Sequence, residues 1–128
     1  AIRALPEGDM AGMQALQELW LMGNQLERLP DGIARLQALV KLGVHDNRLV
    51  ALPDGLGRLP RLAKLFAYGN RLHGTEAVRC LTEVSGSDEW ASLESIWLEG
   101  NPLGQEAVAR LLSTPPHLPK LGDLGLDL

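Results

Sequence analysis

Cysteine is almost missing from this chain of 128 residues, where Cys80 stands alone. No internal disulfide can form, which excludes a stapled scaffold and makes a reducing, intracellular (cytoplasmic) compartment the expected home. Long apolar runs are missing as well: nothing reaches the roughly 18 consecutive apolar residues of a spanning helix, and no charged-then-apolar leader opens the sequence. Positive charge is scarce, with 12 Lys and Arg against 16 Asp and Glu and a formal net charge of −4. A basic footprint for phosphate backbones is therefore lacking, and nucleic acid is a poor fit as partner. Metal-ligand spacings such as C-x-x-C or H-E-x-x-H do not occur, nor does a Gly-rich phosphate loop, so neither metal nor cofactor is expected. Aromatic residues are few: three Trp, one Tyr and one Phe. Where those five fall becomes informative.

What the chain has instead is leucine at a fixed rhythm. Leu16-Gln17-Glu18-Leu19-Trp20-Leu21-Met22-Gly23-Asn24-Gln25-Leu26 is followed by Leu39 to Leu49, with Leu42, Val44 and Asn47 at equivalent places, and by Leu62 to Leu72, with Leu65, Ala67 and Asn70. Both steps are 23 residues, from Asn24 to Asn47 and from Asn47 to Asn70. A fourth copy, Leu93 to Leu103 with Ile96, Leu98 and Asn101, follows after a longer interval, and Leu121, Leu124 and Leu126 begin a fifth. The pattern L-x-x-L-x-L-x-x-N-x-L resembles that of the leucine-rich repeat family over essentially the whole length. That resemblance implies an α/β solenoid: a curved parallel β-sheet on the concave side, with turns and then short helices on the convex side.

The second halves of the repeats divide the chain. Leu29-Pro30-Asp31-Gly32-Ile33 with Leu36, and Leu52-Pro53-Asp54-Gly55-Leu56 with Leu59, predict short turns, because proline removes a backbone donor and Asp-Gly favours tight turning. In this the first three repeats resemble the Ras-suppressor-like and plant Ras-group subclass, over residues 1 to 72. Between Asn70 and Asn101 the step grows to 31 residues. Ala77, Val78, Leu81 and Val84 recur at helical spacing after Thr75, a candidate cap, and Gly86 can end that helix. Gln105 to Ser113 repeats the device before Thr114-Pro115-Pro116, and the last two repeats resemble the ribonuclease-inhibitor-like subclass. The opening Ile2-Arg3-Ala4-Leu5-Pro6 matches Leu26 to Pro30, and Asp127 and Leu128 fall just short of the next Asn. The expectation is a single domain, 1–128, that is a fragment of a longer chain.

Alternation along a strand sends the leucines of L-x-L into the core and the residues around them to the opposite face. The residue between the two core positions is Trp20, Gly43, Phe66, Trp97 and Gly125 in turn; two places on come Met22, His45, Tyr68, Glu99 and Asp127. Four of the five aromatics thus face the expected concave surface, and only Trp90, at a leucine position equivalent to Leu36 and Leu59, is read as core. If each ring is half open, the patch offers roughly 300 to 500 Å², near the largest a soluble monomer carries. At about 25 cal/mol per Å² this is on the order of 7 to 12 kcal/mol of gross driving force, against an association cost of roughly 4 to 15. Polar neighbours then decide affinity and partner. Lys41, Lys64, Arg48 and Arg71 flank the middle repeats, whereas Glu94, Glu99, Asp123 and Asp127 gather toward the end. The plainer reading is that the rings stack on one another across neighbouring strands and stiffen the sheet.

The asparagines Asn24, Asn47, Asn70 and Asn101 are read as structural, each satisfying backbone groups where the chain turns out of its strand. His45, Tyr68 and Glu99 form the nearest approach to an acid-base row, but a positioned nucleophile is missing, and the chain is expected not to be an enzyme. His73 and His117 belong to outer connections, and Cys80 to the packed side of a helix. The functional expectation is an intracellular protein-protein interaction module, an adaptor for signalling. It would bind another protein or peptide through its concave face with Trp20, Met22, Lys41, His45, Lys64, Phe66, Tyr68, Arg71, Trp97 and Glu99, without nucleic acid or membrane. The alternatives are a regulatory or substrate-recognition segment of a larger kinase, phosphatase or ubiquitin ligase, and self-association through the same rings.

Overall fold

The computed structural model describes residues 15–82 and 90–112. Four three-residue strands, β1 (Glu18–Trp20), β2 (Lys41–Gly43), β3 (Lys64–Phe66) and β4 (Ser95–Trp97), lie side by side in sequence order in one sheet. All pairs are parallel and in register with the repeat, so that Leu19, Leu42, Leu65 and Ile96 align across the sheet. Hydrogen bonding extends past the strands into the turns: Val44 N–H donates to Phe66 O at 2.8 Å, and Asp46 N–H to Tyr68 O at 3.0 Å.

Each strand is short because the chain turns away directly after it, and the turn needs a left-handed residue. Gly23, Gly69 and Gly100 supply it with φ of 72°, 68° and 71°; in the second repeat Asp46 takes the same conformation at φ 56°. Aspartate is among the few side chains that tolerate this region.

The return path matches the two kinds of second half. Asp31–Arg35 and Asp54–Arg58 are single 3-10 turns, each entered from a proline, Pro30 or Pro53, whose φ of −68° suits an extended entry. The third return differs from expectation. In place of one continuous helix it forms two short turns, α1 (Gly74–Ala77) and α2 (Arg79–Thr82), parted at Val78, where φ is −117°. Thr75 lies inside α1 and is not its cap, a position held by His73. The physical reason is that Val78 is fully buried; a β-branched residue held in the core leaves the helical conformation more readily than its spacing suggests. Val84 and Gly86 lie outside the described residues. The fourth return, α3 (Gln105–Leu112), is a regular helix.

Between sheet and returns lies one continuous core. Leucines from both halves of every repeat fill it, from Leu26 to Leu111, and many, including Leu36, Leu42, Leu56 and Leu65, are completely shielded from solvent. Trp90 sits among them at 1% exposure, as its leucine register requires. Its indole N–H donates to Cys80 O at 2.8 Å and its backbone N–H to Gly57 O at 2.7 Å.

Candidate functional site: a ring-bearing sheet face

The face of the sheet opposite the core is built from alternate strand residues in three rows. Pairing sets Glu18, Lys41, Lys64 and Ser95 in the first row and Trp20, Gly43, Phe66 and Trp97 in the second. Met22, His45, Tyr68 and Glu99 continue the strand direction as the third. Trp20 is 40% and Met22 45% exposed, Glu99 and Arg71 are exposed, and Lys41, His45, Lys64, Phe66, Tyr68 and Trp97 are half-buried. All ten residues singled out in the sequence as partner-binding are therefore in contact with solvent. Asp123, Gly125, Asp127 and His117 lie outside the described residues.

The rings are half-buried by one another. Phe66 and Trp97 stack with centroids 4.5 Å apart and planes 2° from parallel. Trp20 would be too distant to join them if β2 carried a side chain in the row, but β2 has Gly43 there. The indole of Trp20 lies across that glycine, so close that a Cβ on Gly43 would stand 2.3 Å from Cε3 of the ring. Trp20 thereby reaches Phe66 at 5.3 Å between centroids. Its Nε1–H donates to Glu18 Oε1 at 3.0 Å, fixing the ring from the first row.

A second stack runs beside the first. His45 lies over Tyr68 with centroids 4.5 Å apart and planes 19° from parallel, and it meets Trp20 and Phe66 edge-on at 6.5 and 6.1 Å. His45 Nδ1 is buried and has no hydrogen-bond partner, the one such side-chain atom among the described residues. Offset and edge-on ring pairs of this kind are each favourable by about 0.5 to 1.5 kcal/mol beyond their area. Five rings from four repeats form one slab of mutually packed side chains. The stacking anticipated as the plainer reading is present, and it coexists with an open face.

Two contributors were not foreseen. Gly43 acts as the bed on which Trp20 lies, and Glu18 as its tether; the visible signals were a glycine between two large residues of one register row, and an acceptor two places before a tryptophan. Chemically the face offers flat apolar surface, a rim of charge and an unsatisfied imidazole nitrogen. Among the described residues no three His, Cys, Asp or Glu side chains converge as metal ligands, and no helix is long and apolar enough to cross a membrane.

The parallel ladder, one strand per repeat and the inward asparagines define a leucine-rich repeat solenoid. Solved structures agree on that fold. A leucine-rich repeat protein of Leptospira interrogans matches 91% of this chain at 28% identity and a TM-score of 0.74, and an internalin of Listeria monocytogenes matches 83% at 22% identity and a TM-score of 0.61. The likeness supports a place in the leucine-rich repeat family. The matched region is only 27% of the first neighbour's length and 29% of the second's. No family model matches the sequence, and no curated protein does.

Proposed function

We propose that this segment is a protein-protein interaction module that docks a partner on the concave, ring-bearing face. The observation that carries the reading is the continuous slab from Trp20 through Phe66 to Trp97, with Trp20 and Met22 open to solvent on the face opposite the core. Large apolar side chains displayed together mark interaction surfaces, and Trp and Tyr are prominent among binding hot spots. Similarity to leucine-rich repeat proteins supports the general role. Trp20, Phe66, Tyr68 and Trp97 act as anchors, with Met22 beside them, while Lys41, His45, Lys64, Arg71 and Glu99 select the partner. Because the rings are already locked against one another, docking proceeds with little loss of side-chain freedom.

The finer assignments belong to the same reading. Single 3-10 turns in the first returns support the Ras-suppressor-like subclass for the early repeats, and α3 supports the ribonuclease-inhibitor-like subclass for the later ones. A lone cysteine supports a reducing, cytoplasmic setting.

The test is affinity capture with the wild type beside a Trp20→Ala/Trp97→Ala variant, after circular dichroism has shown that both fold. Proteins retained by the wild type and lost by the variant are the expected result. Equal capture by both would overturn the anchor assignment. Self-association is read separately by sedimentation, as a concentration-dependent dimer that Trp97→Ala dissolves.

A further inference from the structure

Lys41 and Lys64 are direct partners in the register of β2 and β3. Like charges opposite one another on adjacent strands, about 4.8 Å apart, repel and destabilise the sheet. Neutralisation is at hand in principle, since acidic residues outnumber basic ones, 16 to 12. Elsewhere the chain uses it: Arg79 reaches Asp54 at 2.9 Å and Glu76 at 3.6 Å, and Arg110 reaches Glu106 at 3.3 Å. On the sheet face it does not. Neither lysine has an ion-pair partner among the described residues, and Glu18, the register neighbour of Lys41, directs Oε1 to the Trp20 indole while its one charge can offset only one of the two lysines. On the other flank Ser95 stands beside Lys64 and carries no charge.

A second pair of cations follows in the same two repeats. Arg48 and Arg71 each follow a ladder asparagine by one residue, past the left-handed turn that ends the strand, and both are exposed and have no ion pair among the described residues. Along the chain, His45 is therefore bracketed by Lys41 and Arg48, and Phe66 and Tyr68 by Lys64 and Arg71.

We infer that the occupant of this face is an acidic segment of a partner protein, bearing carboxylates on either side of a large apolar side chain. The apolar side chain lies on the slab formed by Phe66, His45 and Tyr68. Its flanking carboxylates meet Lys41 and Lys64 at one end and Arg48 and Arg71 at the other. Charge complementarity selects this occupant over a basic or neutral segment. The inference rests on the docking reading above. Nucleic acid is the competing polyanion, and the net charge of −4 disfavours it at long range.

The experiment pans a displayed random-peptide library on the wild type, on Lys41→Glu/Lys64→Glu, on Lys64→Ala alone, and on Trp20→Ala/Trp97→Ala, each checked for folding by circular dichroism. Expected from the wild type is enrichment of net-acidic peptides with a central apolar or aromatic residue. The leading peptide, labelled with fluorescein, should bind the charge-reversed variant at least about tenfold more weakly and lose affinity as salt is raised. Lys64→Ala, a mild change, should show a smaller loss in the same direction. Neutral or basic peptides that depend on the rings would overturn the acidic assignment and leave the docking face standing. Peptides indifferent to Trp20→Ala/Trp97→Ala would overturn both. Tighter binding of an oligothymidylate than of the acidic peptide would replace the protein segment by nucleic acid.

Discussion

At the residue scale the fold depends on an amide in each repeat that serves the backbone in both directions. Asn47 Oδ1 accepts from Leu26 N–H at 3.1 Å, while its Nδ2 donates to Leu21 O at 2.9 Å, Val44 O at 3.1 Å and His45 O at 3.2 Å. Asn70 repeats the pattern one strand on, to Leu49, Val44, Ala67 and Tyr68, and Asn101 again, to Leu72, Ala67, Leu98 and Glu99. Each amide joins its own turn to the preceding one, so the asparagines form a ladder through the stack. Asn47→Ala strands the Leu26 N–H and at least one buried carbonyl, each costing about 1 to 3 kcal/mol. A melting temperature several degrees lower is expected, with the ring face unchanged in near-ultraviolet circular dichroism; an unaltered melting temperature would remove the ladder from the stability account. These residues were legible from spacing, since asparagine at a fixed place in an otherwise apolar repeat has few other uses. The left-handed turn at Asp46 was not, because glycine in the neighbouring repeats hides a conformational demand that aspartate also meets.

At the element scale the strands followed directly from alternation, whereas the arrangement of rings on them did not. Which face Trp20 occupies is set by a period of two; that it lies down over β2 depends on a side chain that Gly43 lacks, a relation between repeats that no single repeat contains. Gly43→Ala tests it. A methyl group there cannot share space with the indole, so Trp20 must rise away from Phe66 into water. A red shift in tryptophan emission and a weaker aromatic signal in near-ultraviolet circular dichroism are expected. The stability cost should stay below about 1 kcal/mol, because Trp20 is a surface residue that keeps the freedom to move. Emission identical to wild type would mean the ring does not rest on Gly43. The third return shows the opposite failure of reading: spacing of Ala77, Val78 and Leu81 fits a helix, yet burial of all three is achieved by two turns that bend at Val78. Periodicity reports which residues are buried more faithfully than the backbone that buries them.

At the scale of the whole molecule the question is whether repeats of different step length fold as one unit. In a solenoid each repeat contacts its neighbours, and cooperativity rests on the interfaces between them. The interval lengthens from 23 to 31 residues between Asn70 and Asn101, and Trp90 is the side chain that closes the resulting gap. It lies in the shared core, donates to Cys80 O in α2, and is held through its backbone to Gly57 in the preceding 3-10 turn. Its backbone is left-handed at φ 58°, a conformation costing a bulky residue roughly 1 to 3 kcal/mol, which only firm anchoring on both sides can offset. Gly57 adjoins it so closely that a Cβ there would stand 2.8 Å from the indole nitrogen. Trp90→Ala should therefore cost about 3 to 5 kcal/mol, the range for emptying a buried aromatic site. The shape of the transition is the sharper readout. In Trp90→Phe, which silences the buried indole and keeps a ring in the core, denaturation followed by far-ultraviolet circular dichroism and by the fluorescence of Trp20 and Trp97 should give one coincident transition. In Trp90→Ala the interface between the 23-residue repeats and the last described repeat is weakened most, so the curve from β4 and α3 should separate from that of β1 to β3. A single transition merely shifted to lower denaturant would show instead that the continuous leucine core couples the repeats without help from Trp90.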